Sequence, residues 1–245
     1  MFSLRRLIFG LIVASCLRSW GVEFRTVEFE AKSYTVADVD LGVESLELFL
    51  KDDAGATFKK FATLEQWLDG QGRKLVFAMN AGMYHADYSA VGLFVADGHE
   101  LAPVNLQSGN GNFFLKPNGI FAVTDRGARI VESSLYGQLG EKVQLATQSG
   151  PLLVLGGKLH PAFRPGSENK LFRNGVGVRS AKSVVFVISE APVNFDEFAR
   201  LFRDELKCPD ALFLDGTVSS LHSAALKRSD FHIDLGPLIG VTARK

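Results

Sequence analysis

Several apolar runs in this chain end in the same small vocabulary of asparagine, glycine, serine or a charged residue. They are VFAMNAGMYH (76–85), FLKPNGIF (114–121), ATQSGPLLV (146–154), RNGVGV (173–178), FVISE (186–190) and LFLDG (212–216). Two of these endings supply carboxylates, Asp215 and Glu190, which can serve as a base or steady a developing positive charge. Arg173 is a fixed cation whose planar fork matches the oxygens of a phosphate. Asn80, Asn118 and Asn174 can bond sugar hydroxyls or phosphate oxygens, and Ser149, Ser219 and Ser220 add hydroxyl donors. Tyr84 and His85 offer a wall for a sugar ring. Gly82, Gly150 and Gly216 would let backbone N–H groups close on an anion. Together the groups suit recognition of a neutral polar moiety beside an anion.

Other chemistries lack their residues. His85, His160 and His222 have no short metal-ligand spacing, so no metal is expected. Ser220-Leu221-His222 is no triad by adjacency, and no Gly-x-Ser-x-Gly elbow occurs. A P-loop and a dinucleotide fingerprint are also missing, so no cofactor is expected. Lys plus Arg and Asp plus Glu both number 27, and no basic excess marks a nucleic-acid partner. Cys208 follows an amphipathic stretch and precedes a proline, as a small packing residue would.

The elements that must position these groups are legible in the apolar periodicity. The 245 residues, 47% of them hydrophobic, suit one large domain. Alternation over 22–50 predicts two or three antiparallel strands. Further strands are expected over 74–79, 90–95, 119–123, 128–132, 143–147, 151–155, 183–189 and 211–214. A short helix is expected over 61–68, stopped by Gly70 and Gly72. The strongest helix spans 194–206, with Asn194 as N-cap and Phe195, Phe198, Ala199, Phe202 and Leu206 on one face. The expected fold is α/β of the α+β kind: a single mixed-sheet domain over 21–245 with flanking helices and an active-site pocket at the strand ends. Before it, Arg5-Arg6 and the apolar run Leu7 to Ala14 read as an export signal over 1–20, too short for a membrane span. Val13-Ala14-Ser15-Cys16 resembles a lipobox, and lipidation of Cys16 is the membrane association expected. The protein is therefore expected to be periplasmic, anchored in the outer membrane or secreted.

Taken in order, Asn80-Ala81-Gly82-Met83-Tyr84, Gly150-Pro151, Arg173-Asn174-Gly175-Val176-Gly177 and Leu214-Asp215-Gly216 with Ser219-Ser220 resemble the phosphodiester glycosidase family. The resemblance spans roughly 74–221. It implies hydrolysis of a sugar-1-phosphodiester at the anomeric carbon. Arg173 and backbone N–H groups near Gly150 and Gly216 would hold the phosphate. Asp215 would stabilise the oxocarbenium-like state or activate water, with Glu190 the next candidate base. The chain departs from the family at Thr217-Val218, where glycines are usual, at Asn174, where a small residue is usual, and at Ser189-Glu190 in place of an Asp-Gly. The sugar-phosphate or glycan substrate is left open. A non-catalytic binder of cell-envelope glycan and a peptidase-like hydrolase using Ser149 are the competing readings.

Overall fold

The computed structural model describes residues 17–19, 21–231 and 233–245. The proposed signal core and the lipobox cysteine Cys16 lie outside the described residues. The backbone of Leu17–Ser19 forms a short strand paired with Val22–Phe24.

Strands dominate, and the named pairs are antiparallel throughout. They make three sheets. The largest places the strands Leu17–Ser19, Val22–Phe29, Lys32–Asp40, Ser183–Ser189, Asn174–Ser180, Asp210–Asp215, Leu152–Leu155 and Lys158–Leu159 side by side in that order. A second sheet orders His99–Ala102, Phe94–Ala96, Val143–Ser149, Gly119–Thr124 and Gly127–Glu132. A third orders Arg228–Ser229, Leu221–Ser223, Arg73–Asn80, Leu238–Arg244 and Leu46–Phe49. The α+β class expected from the sequence holds.

Alternation explains how the sheets stack. On the large sheet Phe24, Val39, Val176, Phe186, Leu212 and Leu214 point to one side, where they meet Phe121 and Leu145 of the second sheet and Met79 and Ile239 of the third. The intervening residues Tyr34, Val36, Val185, Val187, Ala211 and Phe213 point to the other side and pack under a helix. Each such large apolar side chain contributes about 1.5–3 kcal/mol when taken from water.

That helix is the one expected over 194–206. It runs as an α-helix over Phe195–Arg200 and continues as a π-turn over Leu201–Glu205. Asn194 caps it: its side chain accepts from the Glu197 amide, and the Glu197 carboxylate accepts from the Asn194 amide. Two glycines let it sit low on the sheet. A side chain at Gly177 would begin 2.7 Å from the Cys208 sulfur and 2.8 Å from Phe202, and one at Gly175 would meet the Leu212 carbonyl at 2.9 Å. Cys208 is the packing residue expected, and burial pushes its thiol up to about 12. The shorter helix, Phe61–Gly70, covers the third sheet with Phe61, Leu64 and Leu68. It runs through Gly70, and the chain turns at Gly72, whose φ is +69°.

A groove of about 600 Å³ runs between the outermost strand of the third sheet, Leu46–Phe49, and that of the second, His99–Ala102. Trp67, Arg73 and Leu101 line it. Among the described residues no helix is long and apolar enough to cross a membrane.

Candidate active site

The polar strand endings gather where the three sheets meet. Asn174 opens one strand of the large sheet, and Asp215 ends its neighbour. A register shift beside Gly175 brings the two residues opposite each other. The Asp215 amide donates to Asn174 Oδ1 at 2.9 Å. Asn174 Nδ2 donates across to the third sheet, to the Asn80 carbonyl at 2.9 Å and to Asn80 Oδ1 at 3.0 Å. Asn80 Oδ1 also accepts from the Ser220 amide at 2.9 Å. Asn80 and Asn174 are both buried. A buried amide must use its donors and acceptors, and Asn174 does so fully. Asn80 does not, because its Nδ2 has no hydrogen-bond partner.

Asp215 is the unusual group. Its carboxyl is only partly exposed, and among the described residues no cation forms an ion pair with it. Burial therefore pushes its pKa up to about 6, against the opposing pull of a bond from the Gly216 amide. That bond is 2.6 Å long and joins Gly216 N to Asp215 Oδ1. The expectation that the Gly216 amide holds a phosphate is thereby corrected, since Asp215 itself occupies it. What Gly216 does provide is space. A side chain there would meet nothing closer than Phe213 Cζ at 3.5 Å and the Phe172 carbonyl at 3.7 Å. Ser219 and Ser220 turn inward as well: Ser219 Oγ donates to the Gly216 carbonyl at 2.6 Å, and Ser220 Oγ to the Val218 carbonyl at 3.0 Å. They shape the loop after Asp215 and offer few donors to a ligand.

Arg173 is wholly buried. Its Nε donates to the Val193 carbonyl at 2.8 Å and its Nη2 to the Asn169 carbonyl at 3.3 Å. Its guanidinium lies 3.7 Å over the Phe195 ring and 5.4 Å from that of Phe213. No salt bridge to Glu168 or Asp215 forms. Burial lowers its pKa to about 10, so it stays a cation at neutral pH, and Nη1 has no hydrogen-bond partner. Glu190, by contrast, is engaged. It accepts from Thr35 Oγ1 at 2.6 Å and forms an ion pair with Arg228, which also holds Asp230. A carboxylate committed to an arginine is a poor base, which weighs against Glu190 as the next candidate base.

Four other residues hold the framework. Ser149 is buried and donates to the Leu214 carbonyl at 2.7 Å, with no base beside it; this removes the physical ground for a serine nucleophile. Asn118 Nδ2 donates to the Phe113 carbonyl at 2.8 Å, and a side chain at Gly150 would begin 2.7 Å from Asn118 Cβ. Gly82 is required for close approach of two sheets, since a Cβ there would sit 2.3 Å from the Gln148 carbonyl. Its amide donates to Thr147 Oγ1 at 3.1 Å, and so does not serve an anion.

Tyr84 keeps its place beside the carboxyl. Burial first, and then the charge of Asp215, pushes its hydroxyl up to about 12. It donates to the Asp234 carbonyl at 2.8 Å and stacks on Tyr88 at 5.9 Å between centroids. His85 is exposed in the turn between them and builds no part of that wall. Sequence reasoning missed Tyr88, Asp234 and Lys59. Lys59 sits 4.3 Å over the Tyr88 ring and 3.9 Å from Asp234. Only the spacing of Tyr84 and Tyr88 around a turn hinted at them.

A family model described as phosphodiester glycosidase matches residues 73–233. The chain belongs to the phosphodiester glycosidase family. The matched span holds every candidate residue expected from the sequence, whereas Lys59 and Asp234 fall just outside it. Escherichia coli (strain K12) has a relative, the uncharacterized protein YigE, that is 32% identical over 179 residues, 73% of this chain and 70% of that one. Among solved structures, the glycosidase superposes on the zebrafish N-acetylglucosamine-1-phosphodiester alpha-N-acetylglucosaminidase catalytic domain, auto-inhibited by its pro-peptide. The TM-score is 0.63 at 12% identity, over 91% of this chain and 82% of that one. A Burkholderia pseudomallei K96243 protein, named for its presumed export, matches with a TM-score of 0.52 at 10% identity, over 89% and 74%. These two likenesses establish a shared fold. Among the described residues the glycosidase has no group of three or more His, Cys, Asp or Glu arranged to hold a metal.

Proposed function

We propose that this phosphodiester glycosidase hydrolyses a sugar-1-phosphodiester outside the cytoplasm, with Asp215 as the carboxylate that serves the anomeric carbon. The observation that carries the proposal is the setting of Asp215: a carboxyl at the meeting point of three sheets, its backbone held through Asn174 and Asn80, unpaired by any cation among the described residues and open beside Gly216. Support for location comes from the Arg5-Arg6 and apolar N-terminus and from the Burkholderia pseudomallei protein of the same fold, named for its presumed export.

The chemistry follows from the leaving group. A phosphate monoester departs with little protonation, so one carboxylate suffices where most glycosidases use two. Water attacks the anomeric carbon, and Asp215 takes its proton or offsets the positive charge on the ring. The bond from the anomeric carbon to oxygen breaks, and its electrons leave with the phosphate. Arg173 Nη1 and Asn80 Nδ2, two of the buried polar atoms without hydrogen-bond partners, would donate to phosphate or sugar oxygens. Tyr84, stacked on Tyr88, would border the sugar ring.

The test is incubation of the purified protein with a panel of sugar-1-phosphodiesters, including the N-acetylglucosamine compound, following free sugar and phosphomonoester. Release that falls by about 10²-fold or more in Asp215→Asn supports the assignment. Undiminished release in a folded Asp215→Asn protein would remove Asp215 from the reaction. Saturable binding with no release across the panel would favour a glycan binder.

A further inference from the structure

We infer that Lys59 is the cation that receives the substrate's phosphate, held beside the site by Tyr88 and Asp234. The inference rests on the glycosidase proposal above and adds a residue that precedes the family-matched span, 73–233. A phosphodiester is a monoanion and its monoester product carries more charge, so a cation at those oxygens stabilises them more as the bond breaks. Other cations near the site are poorly placed for this. Arg173 is wholly buried, and a phosphate whose aglycone trails into solvent needs a cation it can meet at the surface. Arg228 is divided between two carboxylates, Glu190 and Asp230. Lys59 is in the opposite position. Its Nζ lies 3.9 Å from Asp234 Oδ2, while Lys60 Nζ lies 3.7 Å from Asp234 Oδ1. Two ammonium groups therefore share one carboxylate, neither at hydrogen-bond length, and a positive charge is left over. The Lys59 side chain is 40% exposed.

Contacts across the fold place this charge at the site. The Leu235 amide donates to the Lys59 carbonyl at 2.7 Å, and Val218, in the loop that follows Asp215, packs against the apolar cluster that includes Leu235. The Ala81 amide donates to the Pro237 carbonyl at 2.8 Å, and a side chain at Gly236 would begin 2.3 Å from Tyr84 Cγ. Residues 234–237 thus run hard against the segment from Asn80 to Tyr84. The Tyr84 hydroxyl donates to the Asp234 carbonyl, the Tyr88 hydroxyl donates to Asp234 Oδ2 at 3.3 Å, and Lys59 Nζ lies 4.3 Å over the Tyr88 ring. Lys59 and Tyr88 both hold left-handed backbone, with φ of 62° and 69°, a costly conformation that persists where the surroundings fix it. Tyr84 stands between the two charges, since its hydroxyl feels Asp215 and bonds the residue that holds Lys59. A sugar bordering Tyr84, with its anomeric carbon at Asp215, turns its phosphate toward Lys59. Lys59 then exchanges its loose contact with Asp234 for the phosphate oxygens.

The probe is inorganic phosphate, titrated by calorimetry into the purified protein so that binding is read without turnover. Lys59→Gln is expected to weaken binding roughly tenfold, the order of one lost charge-assisted hydrogen bond. Asp234→Asn removes the rival anion while keeping the side chain's shape, and is expected to tighten binding by about threefold. The same opposite signs should appear in kcat/KM for whichever sugar-1-phosphodiester is released. Phosphate that fails to bind wild type, or binds Lys59→Gln equally well, would overturn the inference while leaving the glycosidase proposal intact. Weakening by both substitutions would also overturn it, because a cluster that merely supports Tyr84 is damaged by either change. Opposite signs in a protein that releases no sugar would uphold the phosphate contact and remove the glycosidase proposal instead.

Discussion

Asp215 carries the pH signature of the site. Its carboxyl is raised to about 6 by burial, above the ordinary carboxylate range, so the native state holds its proton more tightly than the unfolded chain does. The stability it contributes is complete below the ordinary range and is lost as pH rises through about 6. Asp215→Asn should flatten that decline, by on the order of 1–3 kcal/mol, in urea denaturation followed between pH 4 and 8. Activity should run the other way. The carboxylate form does the chemistry, so kcat/KM should climb with pH to a plateau above about 6, and a profile that falls through that range would assign Asp215 the role of an acid. The place of Asp215 and Asn174 at the ends of buried strands was readable from sequence, because an acid or amide closing an apolar run marks where the strand leaves the core. The ion pair that engages Glu190 was not readable. Nothing in its own stretch reveals that Arg228, 38 residues later, claims it.

At the scale of elements, the motif Arg173-Asn174-Gly175-Val176-Gly177 divides into two jobs that look like one in sequence. Its polar half builds the site, while its glycines make room for Phe198, Phe202 and Cys208 of the covering helix and the turn after it. Gly177→Val should therefore destabilise the fold by about 1–3 kcal/mol through overpacking, visible as a lower urea midpoint with an unchanged slope. If stability is unaffected but turnover falls, the glycine serves a ligand instead. The strands, the capped helix and the α+β class were legible because apolar period and capping chemistry are local. The partition into three sheets was not, since pairing partners such as Tyr34 with Ser189 lie far apart in the chain. Gly82 was read as ligand-facing for a similar reason: its close approach to the distant Gln148 carbonyl leaves no trace in the local pattern.

For the whole molecule, the site is also a joint. The Asn174 side chain belongs to the large sheet and Asn80 to the third, and their bonds tie the two together at the end that carries Asp215. A double-mutant cycle with Asn80→Ala and Asn174→Ala should give a coupling energy of about 1 kcal/mol or more in urea unfolding. Additive losses would mean that core packing alone holds the sheets. A different consequence follows from the groove between the outermost strands Leu46–Phe49 and His99–Ala102. Open strand edges are templates on which another chain can build, the first step toward aggregation. In this molecule two such edges flank one cleft, with Glu47, Lys51, Asp97 and His99 along it. Each edge faces the other across the cleft, and an incoming strand would have to enter a slot lined with charge. A protein built almost wholly of β-structure thereby keeps two of its exposed edges from recruiting its neighbours.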